Sequence, residues 1–135
     1  RSQEELFAQV ADALSCVLEQ EPLELERLLW SREKQSSTAI SRFVAVPHLI
    51  TRLPNHFGLL CARTSSGVHF SDTFTEVKAV FVLAGSPEQR NLHLQTLAAL
   101  AQIAMDKSFE GEWMEARKPE QLREVLLLGE RRRHS

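Results

Sequence analysis

The chain has 135 residues, of which 43% are hydrophobic and 25% are charged, a composition typical of one globular domain and not of a disordered segment. The formal net charge of −2 argues against nucleic acid as a partner, because binding a phosphate backbone needs an excess of positive charge. No apolar run long enough to cross a bilayer occurs, so the sequence predicts no membrane span.

The N-terminal part of the chain predicts two helices. Ser2 ahead of Glu4 and Glu5 is typical of a capped helix start, and apolar residues then recur at helical spacing over the first eighteen residues. Pro22 suits the first turn of a second helix, which we expect to end near Arg32.

The middle of the chain predicts four strands. Residues 43–46 form a short β-prone run that Pro47 should end, and residues 57–62 and 67–70 are two further candidates. Residues 77–84 (VKAVFVLA) are the strongest candidate, because they are apolar almost throughout, as a strand covered on both faces is. This last strand should therefore lie in the interior of a sheet.

Three more helices are predicted after the strands, over residues 90–105, 109–116 and 120–128, with Gly129 closing the last of them. Leu92, Leu97 and Leu100 are expected to face inward from the first of the three. Helices at both ends of the chain can cover both faces of one sheet. The sequence thus predicts an α/β domain over residues 1–129, a mixed central β-sheet of four to five strands flanked by helices on both faces, with a basic tail at 130–135.

The chemistry is expected at His48, His93 and Arg32. His48 follows Pro47 at the end of an apolar strand, where α/β folds gather functional groups and where proline restricts the backbone. His93 lies in the first turn of the helix after the strongest strand, where free N–H groups attract anions. Arg32 would be a fixed cation for a phosphoryl group. His56 and His69 are expected to be surface residues.

Other chemistries find no support in the sequence. Cys16 and Cys61 lack CxxC spacing and fall within apolar patterns, so both are predicted to be buried thiols in a reducing compartment, the cytoplasm. The histidines show neither HxH nor HExxH spacing, so no metal site is expected. GxxxxGK[ST], GxGxxG and GxSxG do not occur, so no cofactor is expected and a hydrolase is the least favoured alternative.

The segment that runs from Arg32 to His48, REKQSSTAISRFVAVPH, resembles the active-site segment of type 2 enzyme IIA domains of the phosphotransferase system (PTS), the fructose/mannitol/nitrogen-regulatory class. The family pattern is roughly R-E, four residues, then S-T-G-I-G-x-G-I-A-I-P-H. A second match begins at His93, where HLQTLAAL stands in place of the family's H-L-x-x-L-A helix. The resemblance covers about residues 4 to 128.

This resemblance implies a mixed sheet flanked by helices and a function as a phosphoryl carrier. A phosphorylated phosphocarrier protein would give its phosphoryl group to His48, with His93 and Arg32 lining the site. Two functions stay open. We favour a regulatory domain that forms the soluble part of a larger polypeptide, such as a membrane transporter, because the chain begins at Arg1 without the family's first strand. The alternative is an active PTS component for sugar uptake.

Three positions depart from the family pattern, since Ala39, Ser41 and Phe43 stand where the family has glycines. If those glycines have positive φ or leave bare backbone beside the phosphate, the replacements would change the pocket. Phe43 should matter most, because its ring would narrow the approach of a protein donor. We therefore expect a site that keeps its imidazoles and its cation but is phosphorylated slowly.

Overall fold

A computed structural model describes residues 2–116 of the chain. The elements in chain order are α1 (Gln3–Leu18), α2 (Pro22–Gln35), β1 (Val44–Ala45), β2 (His48–Ile50), β3 (Phe57–Val68), β4 (Val77–Gly85), a 3-10 turn (Pro87–Gln89), α3 (Arg90–Ala104) and α4 (Lys107–Glu115). The predicted helix over residues 120–128, Gly129, the domain boundary beside it and the tail lie outside the described residues.

The first two helices form where the sequence predicted them. The Ser2 hydroxyl accepts a hydrogen bond from the Glu5 N–H at 3.1 Å, and the Glu5 carboxylate accepts from the Ser2 N–H, which together make a capping box. Glu19 then takes a left-handed conformation with φ 55°, which ends α1, and Pro22 opens α2. The second helix extends one turn beyond the expected end, to Gln35.

β4 is the central strand of the sheet. It pairs antiparallel with β3 along one edge and parallel with β1 and β2 along the other. Val44 lies opposite Ala79 and His48 opposite Leu83, so in both short strands the partner is 35 positions further along the chain. β1 and β2 are therefore two parts of one interrupted strand.

β1 ends before Pro47, as predicted, but the sequence did not predict that pairing with β4 resumes beyond the proline. Proline lacks the N–H that a ladder residue donates, but its carbonyl still accepts from the Leu83 N–H at 2.9 Å. Pairing consequently resumes at His48 and continues to Ile50.

The two strands predicted over residues 57–62 and 67–70 are one strand, β3. Its polar middle resembles a loop in the sequence, but it remains extended with an irregular register between Arg63 and Val68. Gly67 accommodates the irregularity with φ 83°, and the Thr64 hydroxyl donates to the Val77 carbonyl at 2.7 Å. The sheet has four strands within the described residues.

Helices cover both faces of the sheet, as predicted, and β4 is buried along its length. One core joins its even-numbered positions to α1 and α2: Val80, Val82, Ala84, Leu6, Phe7, Val10, Leu25, Leu29. The other core joins its odd-numbered positions to α3 and α4: Ala79, Phe81, Leu83, Leu100, Ile103, Phe109, Trp113. The interior position expected for residues 77–84 is confirmed.

Two burial expectations are wrong. Leu92 is 41% exposed, because it lies in the first turn of α3, whereas the apolar residues with which this helix joins the core begin at Leu97. Cys16 is exposed because it projects from the side of α1 opposite to Phe7 and Ala11, whereas Cys61 is partly buried. Burial raises the pKa of the Cys61 thiol to about 11.

The aromatic contact of Phe7 should account for much of the stability that α1 contributes. Phe7 is fully buried, with its ring centroid 4.7 Å from that of Trp30. We expect Phe7→Ala to lower the free energy of unfolding by about 3–5 kcal/mol. The matched control on the same helix, Val17→Ala at a residue 57% exposed, should change it by less than about 0.5 kcal/mol. Urea unfolding measures both, and similar losses would contradict this account of the core.

Candidate functional site

His48 lies at the carboxyl end of the sheet, as the first residue of β2. Side chains alternate along the interrupted strand, so His48 shares the face of Val44 and Val46, which α3 and α4 cover, while Leu49 enters the opposite core. His93, in the first turn of α3, belongs to the same side of the sheet.

Two hydrogen bonds define the protonation of the His48 ring. Its Nδ1 lies 3.1 Å from the Val46 carbonyl oxygen, and its Nε2 lies 2.9 Å from Nε of Arg32. Arginine can only donate, and a carbonyl oxygen can only accept. The partners therefore assign the proton to Nδ1 and the lone pair to Nε2, directed at the guanidinium.

Arg32 is held by the end of its own helix. Its Nη1 donates to the backbone carbonyl of Ser36, the C-cap residue of α2, at 2.9 Å. The side chain is partly buried and extends from the α2 layer to the imidazole of His48. The structure thus brings Arg32 and His48 into direct contact.

Glu33 and Thr38 form a second set of contacts, to which the sequence analysis assigned no role. The Glu33 carboxylate accepts from the Thr38 N–H at 2.9 Å and from the Thr38 hydroxyl at 2.7 Å. Thr38 is 4% exposed. Both residues occur in the segment that carries the resemblance, and a buried threonine beside a carboxylate is the signal that could have drawn attention to them.

His93 packs tightly against the end of β4. A Cβ atom on Gly85 would lie 2.6 Å from His93 Nε2 and 3.0 Å from the His56 carbonyl oxygen, so glycine is required for this approach. The Phe57 ring meets the imidazole edge-on, with centroids 5.1 Å apart. Nε2 is buried there without a regular hydrogen bond to any residue of the described range 2–116. No motif in the sequence had indicated a role for Gly85.

The two imidazoles influence each other electrostatically. Burial is the main cause that lowers the pKa of His48, Arg32 lowers it further, and the Val46 carbonyl and the Glu33 charge oppose the shift. Burial also lowers the pKa of His93, followed by the charge of His48, while the Gly85 backbone acts in the opposite direction. Both shifts favour the neutral form of the imidazole.

The three positions that replace the family's glycines lie between α2 and β1, where Ala39 pairs with Ala45 in an isolated antiparallel bridge. Among residues 2–116 the non-glycine residues with positive φ are Glu19 and Asn55, so Ala39, Ser41 and Phe43 carry no such strain. The Ser41 hydroxyl accepts from the Phe43 N–H at 3.3 Å and so stabilises this segment.

The expectation that Phe43 obstructs a donor is wrong. Phe43 is 5% exposed and packs edge-on against Phe109, with ring centroids 6.1 Å apart. It precedes His48 by five positions of the interrupted strand, about 17 Å at the usual rise of an extended chain. The ring belongs to the core beneath α4, and its removal would cost stability without widening the site.

The remaining histidines of the described range contribute no further site. His69 is exposed, with Nε2 3.6 Å from Asp72 Oδ1. His56 is partly buried, which differs from the surface position expected, because its backbone pairs with buried Ser86. Residues 2–116 contain no group of three histidine, cysteine or acidic side chains that could hold a metal ion. No helix in this range has the length and hydrophobicity needed to cross a membrane.

Residues 1–128 match the family model described as "Phosphoenolpyruvate-dependent sugar phosphotransferase system, EIIA 2". The chain belongs to this family. Its fold agrees: the nitrogen regulatory protein IIA-Ntr of Neisseria meningitidis superposes with a TM-score of 0.86 at 25% identity, over 93% of this chain and 86% of that one. IIA mannitol of Escherichia coli superposes with a TM-score of 0.74 at 21% identity, over 93% and 89%, a likeness of fold.

Curated relatives of this EIIA domain are much longer proteins. A multiphosphoryl transfer protein of Shigella flexneri is 28% identical over 88 residues, which are 65% of this chain and 11% of the relative. The PTS system fructose-specific EIIABC component of Bacillus subtilis is 26% identical over 97 residues, which are 71% of this chain and 15% of the relative. The chain spans only about a tenth to a seventh of the curated relatives that it matches.

NMR titration of the imidazoles should show the lowered pKa of His48 in this EIIA domain. We expect a value below the usual value of about 6.5. Arg32→Gln should raise it only part of the way back, because burial, the larger cause, remains. Arg42→Gln, which removes an exposed guanidinium paired with Glu110, is the control and should leave it unchanged. A pKa of His48 above the usual value would contradict the assignment.

The same lowered pKa values predict how stability depends on pH. The unfolded chain binds protons at His48 and His93 near pH 6.5, whereas the folded domain binds them only at lower pH. The free energy of unfolding should therefore fall as pH drops below about 6.5 and level off below the folded pKa values. His48→Gln should make this decline shallower in urea unfolding from about pH 7.5 to 5. An unchanged slope would show that other groups cause the decline.

Proposed function

We propose that His48 accepts a phosphoryl group on Nε2 from a phosphorylated phosphocarrier protein, and that its phosphorylation state is the regulatory output of a larger polypeptide. The observation that carries the proposal is the pair of contacts on one imidazole, with Nδ1 on the Val46 carbonyl and Nε2 on Arg32. A neutral ring with a directed lone pair beside a fixed cation fits phosphoryl transfer, which needs positioning and charge neutralisation.

The transfer would proceed in one displacement. The Nε2 lone pair of His48 attacks phosphorus while the bond to the donor's own group breaks, so one phosphoryl group moves and no proton has to leave the ring. The Val46 carbonyl remains on Nδ1–H and stabilises the positive charge that the ring gains. Nε2 thus changes its partner from a guanidinium to phosphorus.

Arg32 has two tasks in this mechanism. Its Nε–H must first leave Nε2, and it can then donate to a phosphoryl oxygen, because the bond from Nη1 to Ser36 keeps the guanidinium nearby. His93, which faces the same side of the sheet and responds to the charge of His48, would contact another oxygen. These roles are part of the proposal.

The similar proteins support two different functions for a phosphorylated His48. The structural likeness to a nitrogen regulatory protein at 25% identity supports a regulatory domain. The fructose-specific EIIABC relative supports the second candidate, an active PTS component that passes phosphate on for sugar uptake. Either function would operate on the cytoplasmic side of a membrane transporter or in a longer soluble protein.

Intact-mass measurement after incubation with phosphorylated phosphocarrier protein tests the acceptor. The wild type should gain one phosphoryl group and His48→Ala none, because the nucleophile is removed. Arg32→Gln should slow labelling by about a hundredfold, the usual effect of losing a group that stabilises transition-state charge. His69→Ala, at an exposed histidine, is the matched control and should label like the wild type. Label that survives His48→Ala would assign the nucleophile elsewhere.

A chase experiment separates the two outputs. Labelled protein is mixed with an excess of an unphosphorylated EIIB-type domain, and loss of the phosphoryl group from His48 is followed by mass. Rapid loss would favour the sugar-uptake component, and persistence of the label would favour the regulatory domain.

A further inference from the structure

The outer edge of β1 has no neighbouring strand within residues 2–116, since β3 and the interrupted strand occupy the two edges of β4. The loop after α2 takes that place. The Val44 carbonyl accepts from the Ile40 N–H at 2.9 Å, and the Val46 N–H donates to the Thr38 carbonyl at 2.9 Å. The loop therefore satisfies backbone groups that the sheet leaves unpaired.

The peptide groups of Val46 need this support more than those of an ordinary strand residue. The next residue, Pro47, has no N–H with which to hold the backbone against β4. The Val46 carbonyl in turn accepts from Nδ1 of His48. Any rotation of this peptide group would weaken the contact that fixes the protonation of the ring.

The loop itself is fixed by one buried contact. Thr38 donates both its N–H and its hydroxyl to the two carboxylate oxygens of Glu33, at 2.9 and 2.7 Å. Charge-assisted bonds of this length are about twice as strong as bonds between neutral groups. A continuous path of hydrogen bonds thus leads from Glu33 through Thr38 and Val46 to His48.

We propose that Glu33 and Thr38 are positioning residues for the phosphoryl acceptor: by fixing the backbone of Val46 through its N–H, they hold the Val46 carbonyl, and with it the Nδ1–H tautomer of His48 with Nε2 directed outward. The kinetic consequence rests on the proposed function, whereas the consequence for the tautomer does not. Neither residue touches the phosphoryl group, so each acts through the ring.

A merely structural role for Glu33 and Thr38 would affect stability but not the ring. Glu33 also lies close enough for its charge to raise the pKa of His48, against the effect of Arg32. Arg32 and Glu33 are adjacent residues of opposite charge at the end of α2. Arg32 contacts Nε2 of His48 directly, whereas Glu33 acts on the ring by its charge and through its hydrogen bonds with Thr38.

Nitrogen-15 NMR of labelled imidazoles measures the tautomer of His48 directly. The variants are Thr38→Val, which removes the hydroxyl at similar size, Thr38→Ser, which restores it, and Glu33→Gln. The matched control is Ser37→Ala, an exposed hydroxyl in the same loop that accepts from the Ala39 N–H. Thermal unfolding and circular dichroism establish that each variant is folded, and the rate of phosphorylation is measured alongside.

We expect the wild type to show the Nδ1–H tautomer, and Thr38→Val to populate the Nε2–H form and to be phosphorylated about tenfold more slowly, the size of effect that loss of an orienting partner has at imidazole sites. Glu33→Gln should fall between the wild type and Thr38→Val, because the amide oxygen can accept one of the two hydrogen bonds that Thr38 donates. Thr38→Ser should recover the wild-type rate within about twofold, and Ser37→Ala should match the wild type.

A folded Thr38→Val protein with a wild-type tautomer would overturn the inference. If Thr38→Val does not fold, Glu33→Gln replaces it in the comparison, and a wild-type tautomer in that variant would also overturn the inference. If the wild type itself is not phosphorylated on His48, the proposed function fails, while the tautomer of the variants still decides whether Glu33 and Thr38 position the ring.

Discussion

The parallel pairing of β4 with the interrupted strand β1–β2 is the constraint on which the rest of the site depends. β4 is buried on both faces, and its register fixes His48 opposite Leu83. The same strand ends at Gly85, where the absence of a side chain lets His93 approach. β4 thus fixes where His48 lies along the sheet and leaves the space that His93 needs, although the two histidines belong to different elements.

The interruption at Pro47 removes one backbone bond beside the contact between the Val46 carbonyl and the His48 ring. An uninterrupted strand would hold the Val46 peptide group by the regular bonds of its neighbours, whereas here a loop and a side chain share that task. The missing N–H costs one ladder bond. The Val46 carbonyl lies on the edge away from β4, where the loop bonds to Val44 and Val46, and can therefore hold a side chain at the point where the strand reaches the carboxyl edge.

The sequence predicted the fold class, and two of the three candidate residues that it indicated, Arg32 and His48, are in direct contact in the structure. The apolar run at 77–84 identified the central strand because a strand covered on both faces carries almost no polar residues. The polar middle of β3 was misleading because its side chains lie at a partly exposed edge, where composition no longer separates a strand from a loop. Phe43 was misjudged because a motif aligns residues without indicating the side of the strand on which each side chain lies. The Glu33–Thr38 contact depends on where a loop returns to a helix end, which local patterns do not encode.

The contact between Arg32 and His48 also bears on metal ions. A neutral imidazole with an open lone pair is a common protein ligand for zinc, nickel and copper ions. Here the lone pair of Nε2 is covered by a guanidinium, a group that carries positive charge and has no lone pair to share. A divalent cation would have to displace a bonded cation to reach the ring, and phosphorus, which arrives surrounded by negative oxygens, would not meet that repulsion. Under the proposed function, the same arginine would admit a phosphoryl group and keep metal ions away from Nε2 of His48.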